Sequence, residues 1–292
     1  MLLHNQTQAI QRMNTLAKEG KDFFFIINYR ADSAYIEEFT NIDPRELLFS
    51  FPTLSNIPEA ESYSNEAVEW HTEPPTREDY EHRINLVKQR EREGDSYLAN
   101  LTCKIPVHTN LSLHDIFMRS KTLYRCWMKE KFVCFSPEIF VRINREGLIS
   151  SFPMKGTIDA TRPEAEKELM ENKKEAAEHA TIVDLIRNDL SMIAEKVQVK
   201  RYRYVDHLTT NKGEILQTSS EIIGQLPVDY RQNIGTLLFR LLPAGSITGA
   251  PKPRTMEIID EAEGYERGFY TGVMGCYSKG QLDSAVMIRF ID

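Results

Sequence analysis

The sequence predicts an α+β fold, a single domain of largely antiparallel sheet with helices around it. Short β-rich apolar runs recur along the 292 residues, a few capped amphipathic stretches interrupt them, and the regular strand–helix alternation of a parallel sheet is missing. Apolar residues make up 41% of the chain, enough for an ordinary buried core. No repeat, low-complexity tract or Gly/Ser linker divides it, and "TEPPTRED" is too short to separate domains. One domain over residues 1–292 is therefore expected.

The elements follow in order. "FFFIIN", from Phe23 to Asn28, reads as a core strand. "TREDYEHRINLVKQREREG" has Thr76 and Asp79 at capping positions, apolar Tyr80, Ile84 and Val87, and Gly94 as a stop, the pattern of an amphipathic surface helix. "DSYLANLTCKI" then reads as a strand returning to the core. "KFVCF" (Lys131 to Phe135) and "IFVRI" (Ile139 to Ile143) read as a strand pair around "SPE". The longest helix is expected to begin at "TRPEAEKE", where Thr161 and Glu164 form a capping box with Pro163 in the first turn, and to continue through "ENKKEAAEHATIVDLIRNDLSMIAEK". A further helix, "PRTMEIIDEAE", opens at Pro253 and ends before Gly264.

Charge and composition exclude several function classes. A formal net charge of -7 argues against nonspecific binding to a phosphate backbone, so nucleic acid is not an expected partner. No apolar run approaches the roughly 20 residues of a membrane span, and "MLLHNQTQAIQRM" lacks the layout of a signal peptide, so a cytoplasmic protein without a membrane partner is expected. Cys103, Cys126, Cys134 and Cys276 form no CxxC pair and fit reduced core thiols.

Five places could carry chemistry. In "SSFPMKGTIDATRP", Lys155 sits between Pro153 and Gly156, with the Thr157 hydroxyl two residues on; it reads as a solvated turn charge or as a nucleophile. Glu175 and Glu178 are three apart on one helix face, suited to a hard cation such as Mg²⁺ or, alternatively, to a solvated acidic face paired with Lys173 and Lys174. "LPAGSITGAPKPRTM" sets two glycines, Ser246, Thr248 and Lys252 before a helix start, either a concave anion site or a structural loop. Glu138 follows a proline between two apolar runs, where burial would raise its pKa and suit it to general acid work; a turn carboxylate is the plainer alternative. Arg289 in "VMIRFI" lies on an expected strand among apolar neighbours, where a guanidinium needs an anion, from a ligand or from the protein itself.

In this order, "GDSYLANL", "SPEIF", "PMKGT", "KEAAEHATIVDLIRNDL", "GSITGAPKPRTMEIIDE", "RGFYTGVMG" and "DSAVMIRF" resemble the chorismate-utilising enzymes, which include anthranilate, aminodeoxychorismate, isochorismate and salicylate synthases. The resemblance covers about Gly94 to Ile291, while the first ninety residues match loosely. It implies two large stacked antiparallel sheets with helices around them, and Mg²⁺-dependent chemistry on chorismate. By matching position it implies that Glu138 protonates the departing ring hydroxyl, that Glu178 with Glu175 holds Mg²⁺, and that Thr157, with Gly156 beside it, Ser246, Tyr270 and Arg289 contact substrate. The anthranilate-forming branch resembles "PIAGT" where the aminodeoxychorismate-forming branch resembles "PIKGT"; Lys155 in "PMKGT" takes the second form. That implies attack of its neutral amine on ring carbon 2, then of ammonia on carbon 4, giving 4-amino-4-deoxychorismate, a folate precursor. Because the chain shows no glutaminase motif, ammonia is expected from free ammonium or from a separate glutamine amidotransferase subunit, the partner the resemblance implies.

Three departures from the family pattern sharpen these expectations. Leu98 stands where amine-adding members resemble glutamine and water-adding members a lysine, which counts against isochorismate and salicylate formation. The family's histidine aligns with Gln217, leaving His207 as a weak catalytic candidate. The resemblance also implies a glycine-rich strand and a helix with another Mg²⁺ glutamate beyond Asp292, so weak Mg²⁺ binding by these 292 residues is expected. The rivals are anthranilate synthase, disfavoured by Lys155, and a noncatalytic chorismate-fold subunit.

Overall fold

A computed structural model describes residues 1–58, 66–210 and 213–292. β1 (Leu3–Asn5) leads into α1 (Gln6–Lys18), where Asn5 and Gln8 form a reciprocal capping box. β2 (Phe23–Ile27), β3 (Ser33–Glu38), β4 (Leu47–Phe51), β5 (Leu54–Ser55), β6 (Trp70–Thr72) and α2 (Arg77–Arg92) follow. The middle of the chain forms β7 (Leu98–Ala99), β8 (Val107–Thr109), α3 (Leu113–Arg119), β9 (Tyr124–Met128), β10 (Phe132–Ser136), β11 (Ile139–Ile143), β12 (Leu148–Ser151) and β13 (Met154–Asp159). Then come α4 (Ala165–Glu171), α5 (Lys173–Ser191), the long strands β14 (Glu195–Thr210) and β15 (Gly213–Gln225), and α6 (Ile234–Leu241). α7 (Gly245–Thr248), β16 (Gly249–Ala250), α8 (Lys252–Glu263), β17 (Val273–Ser278), β18 (Gln281–Val286) and β19 (Phe290–Ile291) complete it.

Two sheets dominate, and every described strand pairing is antiparallel. A ten-stranded sheet runs β1-β3-β2-β17-β18-β11-β12-β15-β13, with β14 also paired to β15; a five-stranded sheet runs β19-β10-β9-β4-β5. β2 explains how they stack. Phe24 and Ile26 enter a core shared with Phe49, Met128 and Phe132 of the smaller sheet, while Phe23, Phe25 and Ile27 enter the core beneath α1, α5 and α6. A strand buried on both faces has no polar alternation, which is why this run is wholly apolar. The α+β class and the antiparallel sheets are as the sequence predicts.

Several local expectations are corrected. β10 and β11 do not pair: β10 lies in the smaller sheet and β11 in the larger, so "SPE" is the corner between them. Pro137 has no N–H to continue a ladder, and the Glu138 N–H turns back to the Ser136 hydroxyl at 3.0 Å. The stretch from Asp95 to Ile105 pairs as strand only at Leu98–Ala99, against β16; the Asn100 and Thr102 N–H groups go instead to the Thr248 carbonyl and the Glu263 carboxylate. The expected long helix is two helices broken at Asn172. Thr161 spends its N–H and hydroxyl on Asp159 at 2.9 and 2.7 Å, Glu164 has a left-handed backbone with no capping bond, and the Asn172 side chain caps α5 through the Lys174 and Glu175 N–H groups. α2 ends as expected near Gly94 and buries Val87, but Tyr80 is exposed. α8 opens one residue early, at Lys252, and Gly264 closes it with φ of 69°.

The glycine at 249 is fixed by close approach. A Cβ there would stand 1.8 Å from the Leu98 carbonyl oxygen, on a backbone with φ of 118°. Gly249→Ala is expected to destabilise the fold by at least about 2 kcal/mol, read as a lowered urea midpoint. A midpoint equal to that of the parent protein would show that β7 and β16 can part without loss.

α5 turns His179, Ile182, Val183, Ile186 and Leu190 inward. The His179 ring is fully buried, with Nε2 2.6 Å from the Ser220 hydroxyl; burial, aided by the nearby Arg203 guanidinium, holds its pKa down to about 4. Above pH 6.5 the ring is neutral in both folded and unfolded chains. As pH falls from there to about 4 the unfolded chain takes a proton that the folded one refuses, so stability declines by on the order of 3 kcal/mol. Thermal midpoints measured across this window should fall less steeply in His179→Gln; identical acid limbs would remove His179 from the account.

Candidate active site

The corner at "SPE" points Glu138 toward the strand that carries Lys155. β13 pairs with β15 through a bulge: Lys155 lies opposite Thr218 and Thr157 opposite Gln217, with Gly156 between them at φ of 78°. Lys155 is thus a half-buried strand residue beside a bulge, where the sequence suggested a turn. Space is also tight, because a Cβ at 156 would meet a Glu175 carboxylate oxygen and Leu169 Cδ1, each at 3.2 Å, and those side chains would have to give way. The Thr218 hydroxyl, donating to the Lys155 carbonyl, ties the strand pair at this point.

Glu138, Lys155 and Ser246 come together. Burial pushes the Glu138 carboxyl above the usual carboxylate range, while a hydrogen bond from the Ser246 hydroxyl to Oε1 and the positive charge of Lys155 pull the other way. A carboxyl whose burial favours its protonated form, set at a fixed corner beside an amine on a neighbouring strand, can deliver a proton to one atom of a ligand while the amine attacks another.

Glu175 occupies the first turn of α5 against Gly156, and Glu178 lies one turn on, half exposed, 3.7 Å from Lys174. Among the described residues no cluster of three or more His, Cys, Asp or Glu is placed to hold a metal. Two carboxylates on one helix face still fit a hard cation such as Mg²⁺, which takes one or two carboxylates and fills its other positions with water and substrate oxygens.

None of the described hydrogen bonds joins the remaining candidates to this group. Thr157 is exposed and accepts a 3.4 Å hydrogen bond from the Gln217 amide. His207 is exposed on β14 opposite Leu216, one register step from Gln217. The Tyr270 ring packs 5.9 Å from Phe290, and burial raises its hydroxyl pKa. Arg289 is not on a strand. It occupies a left-handed bend where the chain leaves β18 for β19, and its side chain is exposed, so no buried guanidinium needs an anion there. Leu98 packs on the core beneath α5 and α6.

The segment read as an anion cradle is built differently. Lys252 is engaged internally, by Asp189 at 2.8 Å and the Leu241 carbonyl at 2.9 Å, and both ionic side chains are largely buried. A second buried pair joins Arg267 to Glu263, and the Arg267 guanidinium donates to the Ile247 carbonyl inside this segment and to the Asn100 carbonyl next to β7. Sequence reading missed both pairs. The Glu263–Arg267 spacing of four across Gly264 is a detectable signal, whereas Asp189 and Lys252 are joined only by the fold.

Comparison with known proteins agrees with this architecture. The family model described as chorismate binding enzyme matches residues 11–291. An uncharacterized PabA-like protein of Pasteurella multocida is 44% identical over 283 residues, 97% of this chain and 87% of that protein. Anthranilate synthase component 1 of Acetivibrio thermocellus is 34% identical over 238 residues, 74% of this chain but 45% of its own length. In fold, the menaquinone-specific isochorismate synthase from Escherichia coli aligns with a TM-score of 0.73 at 15% identity, covering 99% of this chain and 74% of that one. With a family model matched over nearly its whole length, on a sandwich that brings Lys155, Glu138 and Ser246 together, the chain belongs to the chorismate-binding enzyme family.

Proposed function

We propose that the protein aminates chorismate to 4-amino-4-deoxychorismate, with ammonia from a glutamine amidotransferase partner. The observation that supports this most is Lys155, held by the Gly156 bulge within the field of the buried Glu138 carboxyl. The 44% identity to a PabA-like protein of Pasteurella multocida agrees with the reading. In the proposed reaction the Lys155 amine, in its neutral form, bonds to ring carbon 2 as both ring double bonds shift and the carbon 4 hydroxyl departs. Glu138 gives that hydroxyl its proton, so water leaves. Ammonia then bonds to carbon 4, both double bonds shift back, and the carbon 2 to nitrogen bond breaks, restoring Lys155. Glu175 and Glu178 would hold Mg²⁺, which, when bound, neutralises the ring carboxylate and withdraws electron density from the ring.

The reading is tested by incubating the protein with chorismate, Mg²⁺ and ammonium, then adding a lyase that converts 4-amino-4-deoxychorismate to 4-aminobenzoate. 4-Aminobenzoate is the expected product. Anthranilate, the product suggested by the 34% identical relative, would overturn the assignment. Glu178→Gln is expected to weaken Mg²⁺-dependent chorismate binding, measured by calorimetry, by roughly tenfold or more; unchanged binding would exclude it as a metal ligand.

A further inference from the structure

Beneath Glu138 lies a small cavity bounded by Phe140, Val141, Ile186, Asp189, Leu190 and Ser246. Ser246 reaches Glu138 from α7, a helix of only four residues that cannot fix its own geometry. It is fixed from behind. A Cβ on Gly245 would stand 2.8 Å from an Asp189 carboxylate oxygen and 3.1 Å from Leu185 Cγ, so α7 lies tight against α5. Lys252 closes the other side, its ammonium bridging Asp189 and the last residue of α6. At the C-terminal end of α7 the Thr248 hydroxyl donates to the Ala244 carbonyl at 2.9 Å, and Arg267 donates to Ile247 at 3.0 Å.

Resting on the reaction proposed above, we propose that Ser246 is a positioning residue for the general acid rather than a substrate contact. The Asp189–Lys252 ion pair holds it, and its donation to Oε1 leaves Oε2 of Glu138 to carry the proton given to the departing hydroxyl. A hydroxyl already donating to one carboxyl oxygen fixes the side-chain rotamer and leaves the other oxygen free to face a ligand. The charged groups around Glu138 are Lys155 from β13 and Asp189 from α5, the latter neutralised by Lys252. Ser246 is therefore the neutral donor that offsets part of the effect of burial on Glu138.

The test compares the parent protein with Ser246→Ala and Ser246→Thr in two measurements. With chorismate, Mg²⁺ and ammonium, Ser246→Ala should lower kcat about tenfold or more with KM within about twofold, and move the alkaline limb of the pH profile upward by about one unit. Ser246→Thr should restore both. In substrate-free protein, infrared titration of the Glu138 carboxyl, with Glu138→Gln as the blank, should show the same upward shift in Ser246→Ala. A raised KM with unchanged kcat and limb would make Ser246 a substrate contact and overturn the proposal, as would equal infrared titrations. If the parent protein forms no aminated product, the reaction has failed on its own and the infrared comparison still decides the role of Ser246. The double variant Asp189→Asn, Lys252→Met removes both charges together and should reproduce the infrared shift. A folded double variant titrating like the parent would detach the ion pair from this device, and the Ser246 variants carry the test whether or not the double variant folds.

Discussion

Lys155→Ala is expected to reduce chorismate amination by at least about a thousandfold, because the residue supplies a bond-forming nitrogen rather than a field that neighbours could replace. The fold should survive. The described hydrogen bonds of residue 155 are made by its backbone, and its side chain is only half buried, so the urea midpoint should change by no more than about 0.5 kcal/mol. Lys155→Arg separates nucleophile from charge, since a guanidinium keeps the positive charge beside Glu138 but does not give up its proton. Both variants should be inactive. Turnover by Lys155→Arg would mean that the lysine acts through its charge alone.

Glu138→Gln should lower kcat by roughly 10²–10⁴-fold, the range of a lost general acid, with little change in chorismate binding. An amide can still accept from Ser246 but has no acidic proton to give. The effect on stability has the opposite sign. Burial raises the folded-state pKa of Glu138 above its unfolded value, so its contribution is complete below the ordinary glutamate range and is lost as pH rises, when the unfolded chain releases a proton that the folded one retains. Glu138→Gln should therefore be at least as stable as the parent at neutral pH and gain relative to it on the alkaline side. A variant that loses stability while keeping its turnover would make Glu138 a structural carboxylate.

How much could be read before the fold was known depended on how local each cause was. The double-faced burial of Phe23 to Ile27, the cap at Thr76 and the stop at Gly264 are short-range effects, and the residues alone declared them. "SPE" was misleading because two apolar runs joined by a short link look like a hairpin; which sheet each strand enters is decided by partners far along the chain, β9 and β19 for β10 and β12 and β18 for β11. Thr161 had an equally good local alternative, the Asp159 carboxylate, and took it. Arg289 failed as a buried cation because the chain changes sheets there and exposes it.

The site divides along the same line. Lys155, Glu138, Glu175 and Glu178 were identifiable as chemical types in quoted motifs, but that Lys155 and Glu138 meet is tertiary information. Lys252 shows the limit most clearly. Its place beside glycines before a helix suggested a ligand anion, and the fold gives it Asp189 instead, a partner 63 residues earlier whose pairing no local pattern encodes.

The central claim, that the Lys155 amine bonds to the substrate ring and so directs ammonia to carbon 4, is tested most directly by intact-protein mass spectrometry after incubation with chorismate and Mg²⁺ without ammonium, followed by peptide mapping. The account predicts an added mass of chorismate less one water, on the peptide containing Lys155, absent from Lys155→Ala and discharged by ammonium as 4-amino-4-deoxychorismate. An adduct that persists in Lys155→Ala, or aminated product forming from that variant at the parent's rate, would contradict it.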